Sequence, residues 1–266
     1  MTHAIASSRT IHPEQLDAAG RARLLEELQV NRQIFDGPGL GALIEALAAG
    51  THGKTTLQCH YDEAGRCVGF AALLCDELEH DGEPWSVFRA MTGLLPAYRG
   101  RQSMMAFYLT TLAGYLLRHP GRRVFFFTPV VHASSYRLLA RHAKEMYPHP
   151  DRPVPPQMME IIQRLGARYA CAKVEGAHPL VCRRAVWVRG DQRKQARRLQ
   201  AGDALDRFFL RINPRAGEGN CIMTLAPVTV GQLVVGALRY GRSRAAAQLR
   251  GLQRAWAGGG LVEGAA

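Results

Sequence analysis

The sequence lacks long apolar runs, and we expect no secretory leader. Its apolar stretches, such as Leu233–Leu238 and Val124–Phe127, fall well short of the roughly 18 residues needed for a membrane-spanning helix. Residues 1–15 lack a charged start followed by an apolar segment, so they do not resemble a signal peptide. We therefore expect no transmembrane segment and a cytoplasmic location.

Paired cysteines are also missing. The six cysteines are scattered and none forms a C-x-x-C pair. Three of them, Cys59, Cys67 and Cys75, lie in apolar strand-like runs, where a free thiol packs as a small hydrophobic group. Cys171 and Cys182 flank His178, but their spacing matches no zinc pattern. The sequence therefore predicts reduced cysteines, as in a reducing compartment, and no metal site.

Acidic residues are scarce relative to basic ones. The chain carries 34 Lys and Arg against 22 Asp and Glu, a formal net charge of +12. Such a balance favours anionic partners, namely phosphate-bearing cofactors, acidic proteins, nucleic acid or anionic lipid. A composition rich in Arg, Ala and Gly is equally typical of a GC-rich genome. The basic C-terminal third has few aromatic residues placed for base stacking, which makes nucleic acid the least favoured partner.

The apolar pattern predicts two helices followed by three antiparallel strands. The helices are expected at Ala18–Phe35 and Leu40–Ala48, and the strands at Thr55–Tyr61, Cys67–Leu74 and Trp85–Leu95. A polar turn is expected over Asp76–Glu83. A third helix then runs to about Leu117, a buried strand covers Val124–Phe127 and a further helix covers Ala133–Met146. The pattern predicts a mixed α/β fold.

The remaining third of the chain is predicted in less detail. A helix is expected over Pro156–Leu165, with edge strands over Tyr169–Val174 and Ala185–Val188, and the charge run Arg189–Arg198 is expected to be solvated. Phe208–Ile212 and Ile222–Leu225 are predicted as a last hairpin, and Thr229–Trp256 as a basic helix packing through a face that includes Leu238, Ala245 and Leu249. We expect residues 1–190 to form the main domain, 191–256 a C-terminal extension and 257–266 a disordered tail.

The turn after the third predicted strand carries a family resemblance. Pro96, Tyr98, Arg99, Gly100 and Arg101 match a frequent version of the loop of the GNAT acyltransferase superfamily, whose consensus is Gln/Arg-x-x-Gly-x-Gly/Ala. The wider order of elements fits that family over residues 15–190, most strongly over 87–142. The resemblance implies a mostly antiparallel sheet flanked by helices, and a loop that binds the pyrophosphate of coenzyme A.

The loop and the preceding strand supply the candidate cofactor residues. Unpaired N–H groups and the dipole at a helix start favour phosphate, and arginine adds charge. The resemblance assigns this role to Arg99, Gly100, Arg101, Gln102, Ser103 and Met104, and backbone contacts to Gly93, Leu94 and Leu95. Gln102 and Met104 stand where the family has glycines, so their side chains can crowd the pyrophosphate.

A second family signature follows the buried strand. The family pattern Asn-x-x-Ala-x-x-Leu-Tyr falls on residues 132–139, with His132 in place of asparagine and Leu139 in place of the tyrosine that serves as general acid. Tyr136 lies one turn earlier, where it either replaces that tyrosine or packs in the core. The candidate catalytic residues are therefore Tyr136, His132 and Ser135. Val87–Leu95 contains no acid, so the general base stays open.

The resemblance implies an N-acyltransferase in which an amine attacks an acyl thioester directly. The expected donor is acetyl-CoA or a longer acyl-CoA, or an acyl-phosphopantetheine on an acidic carrier protein, which a basic chain would attract. The acceptor amine is not readable from the sequence. The alternative is a GNAT-like scaffold without activity, which uses its basic C-terminal region to bind an acidic partner, nucleic acid or membrane.

Overall fold

The computed structural model describes residues 4–51, 53–99, 104–188 and 203–258. Within these ranges there are eight α-helices. They are α1 Ala18–Leu28, α2 Asn31–Ile34, α3 Leu40–Ala49, α4 Met105–Arg118, α5 Ala133–His142, α6 Pro156–Arg168, α7 Ala204–Ile212 and α8 Val230–Gly258. No helix in this part of the chain is long and apolar enough to cross a bilayer.

Ten described strands form one large and one small sheet. They are β1 Ser7–Ile11, β2 Phe35–Asp36, β3 Lys54–Tyr61, β4 Cys67–His80, β5 Glu83–Leu94, β6 Arg123–Val130, β7 Ala172–Lys173, β8 Val181–Arg183, β9 Trp187–Val188 and β10 Cys221–Pro227. The 8-stranded sheet has the order β1-β3-β4-β5-β6-β10-β8-β7, and β2 pairs with β9. The predicted class, mixed α/β with a mostly antiparallel sheet flanked by helices, is confirmed.

Alternation along the strands divides the core between the two faces of the sheet. Phe70, Ala72 and Leu74 of β4 pack beneath α1–α3, while Ala71 and Leu73 point to the opposite face, toward α4. Because successive strand residues face opposite sides, a strand that is apolar throughout must be covered on both. This is why β4 lies inside the sheet.

One pair of neighbouring strands departs from the antiparallel pattern. β5 and β6 run parallel, and they pair only from Trp85 with Arg123 to Arg89 with Phe127. Beyond these pairs β5 continues to Leu94 along β4, and β6 continues to Val130 along β10. The two strands therefore diverge at their carboxyl ends, which opens the sheet at that point.

The polar segment after Cys75 is a strand, so the prediction of a turn over Asp76–Glu83 was wrong except at its end. β4 continues to His80, and only Asp81 and Gly82, both with positive φ, form the turn. Two acids of this segment form cross-strand ion pairs, with Asp76 at 2.9 Å from Arg89 and Glu77 at 2.7 Å from Lys54. Pairing of this kind makes a charged strand stable.

Two helix ends also differ from the prediction. α5 stops at His142 rather than Met146, because Tyr147 exchanges backbone hydrogen bonds of 2.8 Å with Leu225 of β10. α6 continues through Gly166 to Arg168, where a helix stop was expected. A Cβ at Gly166 would lie 2.5 Å from Met223 Sδ, so glycine serves here for close approach of the helix to β10.

The predicted strand over Phe208–Ile212 is a helix, so the last hairpin was wrong. α7 begins at Asp203, whose Oδ1 accepts hydrogen bonds from Leu205 N at 3.0 Å and Asp206 N at 3.2 Å. Such a cap satisfies N–H groups that the first helical turn leaves unpaired. The buried residues Phe208 and Phe209 then follow helical spacing.

The C-terminal segment belongs to the main sheet as well as to its surface. β10 lies between β6 and β8, and α8 packs beside α4 and α5. The packing face of α8 was predicted wrongly, because Leu238 and Leu249 are exposed, whereas Leu233 and Gly236 face the core. The predicted charge run 189–198 lies outside the described residues. So does the predicted tail from 259 onward, and residues 257 and 258 end α8.

Candidate functional site

The divergence of β5 and β6 produces a cleft of about 430 Å³. Its walls come from the carboxyl ends of both strands, from α4 and α5, and from the segment 184–188. The side chains that line it are mainly apolar, with a few hydroxyl and basic groups among them, as is typical of sites for small molecules and cofactors. Its lining includes Ala90, Thr92, Leu94, Met104, Met105, Tyr108, Phe126, His132, Ser135, Leu139 and Arg184.

The end of β5 presents backbone groups toward this cleft. Leu95 N donates to Val68 O on β4 at 3.0 Å. Because hydrogen-bonding direction alternates along a strand, the N–H and C=O groups of Ala90, Thr92 and Leu94 point away from β4, toward the diverging β6. The sheet pairing with β6 has already ended at Arg89. The strand therefore offers the cleft an edge to which an extended ligand can pair.

The three backbone positions expected to contact a cofactor do not all face the cleft. Leu94 lines it, and its carbonyl accepts a hydrogen bond of 2.8 Å from Arg99 Nε. Gly93 is turned toward the opposite face, where a Cβ would lie 2.7 Å from Phe35 Cε2. Leu95 packs with the apolar cluster beneath α1–α3. Of these three positions, the geometry favours Leu94.

The predicted phosphate loop is described only at its two ends. Gly100, Arg101, Gln102 and Ser103 lie outside the described residues. At one end Arg99 folds back onto the Leu94 carbonyl, and at the other Met104 precedes α4. Met104 is buried, and its Sδ lies 3.0 Å from His60 Nε2. Its side chain therefore packs onto the sheet while also forming part of the cleft wall.

The predicted catalytic residues fall into two places. His132 and Ser135 line the cleft, and so does Leu139 at the position of the family tyrosine. Tyr136 is fully buried, and its hydroxyl donates to Pro148 O at 2.8 Å. Its ring stacks on Phe208 of α7 with centroids 5.9 Å apart, and burial raises the pKa of its hydroxyl. These contacts match the core-packing alternative for Tyr136.

A pair of hydroxyl groups in the cleft was not singled out from the sequence. Tyr108 OH of α4 forms a hydrogen bond with Thr92 Oγ1 of β5. Burial raises the pKa of Tyr108 to about 12, so the hydroxyl keeps its proton at neutral pH. Nothing in the spacing of Tyr108 in the sequence indicates that its hydroxyl reaches β5.

His60 is the buried histidine nearest the start of α4. Its Nδ1 lies 2.8 Å from Ser8 Oγ of β1, and its Nε2 faces Met104 Sδ. Burial lowers the pKa of His60 to about 4. A neutral imidazole therefore joins β3 to β1 and to the residue that precedes α4.

We expect His60 to make stability depend on pH. Its pKa is lower in the folded state than the ordinary 6.5 of an unfolded chain, so the stability is complete above about pH 6.5. It is lost as the pH falls toward 4, because the unfolded state then binds the extra proton. The free energy of unfolding should drop by about 2 kcal/mol between about pH 7.5 and about pH 5 from this group alone.

Urea unfolding of the wild type and of His60→Gln at both pH values measures this term. Glutamine keeps a polar contact for Ser8 but does not titrate. The variant should therefore lose about 2 kcal/mol less stability on acidification than the wild type does. Equal losses in the two proteins would show that His60 is accessible to protons in the folded state.

Among the described residues, no group of three His, Cys, Asp or Glu side chains is arranged to hold a metal ion. Cys171 and Cys182, which were considered with His178, are buried free thiols. His178 instead accepts a hydrogen bond of 3.2 Å from Leu180 N through its Nδ1. These three residues are therefore part of the local packing around β8.

No protein-family model and no curated protein sequence matches this chain. Solved structures with a similar arrangement include a Trypanosoma brucei acetyltransferase, with 15% identity over 55% of this chain and 99% of that one and a TM-score of 0.34. Arabidopsis thaliana NAA60 in complex with acetyl-CoA has 14% identity over 53% and 87%, with a TM-score of 0.36.

A conserved Enterococcus faecalis protein described as a probable N-acyltransferase has 11% identity over 52% of this chain, with a TM-score of 0.34. The chain covers only 33% of that protein's length. Similarity at these scores does not assign an activity, which has to come from the residues of the cleft.

Proposed function

We propose that this chain is an acyltransferase of the GNAT type, which binds an acyl thioester in the cleft between β5 and β6 and transfers the acyl group to an amine. The observation that carries the proposal is the divergence of the one parallel strand pair in the described sheet, directly before the loop that resembles the family's cofactor loop. The amine acceptor is left open, and a cytoplasmic location is part of the proposal.

The cleft suits the pantetheine arm of such a donor. Pantetheine is an extended chain with two amide groups, and an extended chain can add to a free strand edge through backbone hydrogen bonds. Ala90, Thr92 and Leu94 provide that edge, while Met104 and Met105 provide apolar contact. Residues Arg99 to Ser103, followed by the start of α4, would hold the phosphates through arginine and backbone N–H groups.

The donor supplies a thioester, whose carbonyl carbon accepts the amine nitrogen as the C–S bond breaks. The Leu94 N–H would polarise the carbonyl oxygen, a role in which a fixed backbone donor is effective. Leu95 N–H already donates to Val68 O, which favours Leu94 for this role. Holding both reactants in one cleft supplies a further part of the rate increase.

Two protons have to move in this reaction, one from the amine and one to the leaving thiolate. Tyr108 carries a protonated hydroxyl in the cleft, positioned by Thr92, and we assign it the role of donor that had been considered for Tyr136. His132, which also lines the cleft, is the candidate that would accept the amine proton, and the hydroxyl of Ser135 could hydrogen-bond the amine. Arg184 at the same cleft can hold an anionic group of either substrate.

Thermal unfolding in the presence of coenzyme A, acetyl-CoA and longer acyl-CoA tests the binding step. At a concentration of about 100 times Kd, a ligand stabilises the fold by about 2.7 kcal/mol, which corresponds to a rise in Tm of roughly 5–10 °C. ATP serves as a matched control, since it carries phosphates without the pantetheine arm. Stabilisation by ATP alone would point to simple anion binding.

Release of free thiol from acyl-CoA in the presence of a panel of amines then tests the transfer step. Replacing acyl-CoA by an acylated carrier protein in the same assay distinguishes the two forms of donor. If no thioester stabilises the chain at millimolar concentration, the enzyme proposal fails, and the non-catalytic binding role of the basic C-terminal region is left.

A further inference from the structure

A second, smaller cavity lies between α4, α5 and α8 and beside the end of β10. Its volume is about 90 Å³, and its surface is almost entirely apolar. Leu109 and Leu112 of α4, Ala143 after α5, Val228 and Leu233 contribute to its walls. A pocket of this kind offers few hydrogen bonds to a polar ligand and favours an apolar one.

This cavity adjoins the cleft. Met105, Tyr108, Phe126 and Leu139 line both, so these four side chains form the partition between them. A methionine and a leucine at such a partition can change rotamer to admit a narrow chain. A chain that enters the cleft along β5 can therefore continue between α4 and α5.

The polar side chains at the cavity, Tyr108, His142 and Gln232, all make hydrogen bonds within the protein. His142 Nδ1 faces Leu138 O at 2.8 Å. Gln232 Oε1 accepts from Lys144 N at 2.8 Å and from Glu145 N at 3.1 Å, which ties the start of α8 to the end of α5. The rest of the cavity wall is apolar, so the cavity suits a hydrocarbon.

Gly236 allows α8 to close this cavity. A Cβ at this position would lie 3.3 Å from Leu109 Cδ2, a tighter contact than side chains normally make. Leu233, one turn earlier, packs with the cluster beneath α4. The C-terminal helix thus forms a wall of the cavity, which is a role that the sequence did not assign to it.

We propose that this cavity holds the distal carbons of the donor's acyl chain, and that the protein is therefore selective for acyl thioesters of medium length. The inference rests on the proposed function, because it places the thioester in the cleft. A cavity of about 150 Å³ binds benzene, which has six carbons, so each carbon needs roughly 25 Å³. This cavity, at about 90 Å³, therefore has room for three or four carbons. With the first carbons in the cleft, an acyl chain of about six to eight carbons fits.

Isothermal titration with acyl-CoA of increasing length tests this inference. Each methylene buried in the cavity should strengthen binding about fourfold, so the affinity should rise roughly 200-fold over four carbons and stop rising beyond about eight. If acetyl-CoA binds and longer chains bind no better, the inference is overturned while the proposed function stands. If no thioester binds, both fail.

Filling the cavity provides the matched test. Leu233→Trp should leave the Kd for acetyl-CoA unchanged and bring the Kd for octanoyl-CoA to the acetyl level. Leu238→Trp, on the same helix but 62% exposed, should keep the wild-type preference. Ala143→Leu also fills the cavity, and it replaces Leu233→Trp in this experiment if that variant does not fold. An undiminished preference for octanoyl-CoA in the folded filling variant would place the acyl chain elsewhere.

Discussion

Replacing Thr92 by tryptophan should weaken the binding of any acyl-CoA at least about 100-fold while leaving the fold intact. Thr92 is exposed on β5 and lines the cleft, so an indole at this position occupies the space proposed for the thioester. Tryptophan is well tolerated in strands, and the lost hydrogen bond to Tyr108 costs only about 1 kcal/mol. Titration calorimetry measures the affinity, and thermal unfolding checks the fold.

The matched control is Thr110→Trp. Thr110 is exposed on α4, and its hydroxyl donates to Ala106 O at 2.9 Å within the helix, outside the cleft. This variant adds the same side chain close to the site and should bind acyl-CoA as the wild type does. If Thr92→Trp also keeps wild-type affinity, the thioester does not lie between β5 and β6, and the proposed function loses its central observation.

The largest loss of stability is expected from Arg137→Leu. Arg137 of α5 forms an ion pair with Asp206 of α7, whose side chain is only 3% exposed. Removing the arginine leaves a buried carboxylate without its cation, a change that typically costs about 3–5 kcal/mol. The other carboxylate oxygen of Asp206 already has no hydrogen-bond partner among the described residues. Urea unfolding near neutral pH measures the loss.

The same two helices provide the control. Arg141 pairs with Asp203, but both side chains are substantially exposed, so Arg141→Leu should cost less than about 1 kcal/mol. In the double variant Arg137→Leu with Asp206→Asn, the unpaired buried carboxylate is also removed. This variant should therefore recover more than half of the lost free energy of unfolding. Equal effects of the two arginine substitutions would show that burial of Asp206 does not set the energy of the pair.

Most elements between α1 and α5 were predicted from the sequence because each carries its own pattern, whereas β1 was not predicted. Thr55–Tyr61 alternates, which indicated a strand, and Cys67–Leu74 is apolar throughout, which indicated a central strand. Long-range pairing was not visible in the same way. The charged end of β4 is a strand because of Arg89 and Lys54, which stand on neighbouring strands.

The errors in the last third have a related cause. Phe208–Ile212 is short and apolar, which fits a strand as well as a helix, and the capping role of Asp203 decided for the helix. The packing face of α8 was assigned from periodicity alone. The contact of Gly236 with Leu109 determines the face instead, since glycine is where α8 can come closest to α4.

For the site, the sequence indicated candidate residues in the turn after β5 and at the start of α5. Of these candidates, Leu94, Met104, His132 and Ser135 line one cleft in the structure. It could not separate Tyr136 from Tyr108, because both are aromatic residues within helices. Whether a hydroxyl points into a cleft or toward a backbone carbonyl depends on what the helix packs against. Tyr136 packs on α7, and Tyr108 faces β5.

The sequence by itself determined the class of fold, the basic charge and the position of the loop, because local periodicity and turn residues express these directly. The tertiary structure decided where β5 and β6 separate and which hydroxyl enters the gap. It also decided that the C-terminal segment supplies a strand of the main sheet and a wall of the apolar cavity. These features depend on contacts between residues far apart in the chain, and such contacts leave no periodic signal in either partner.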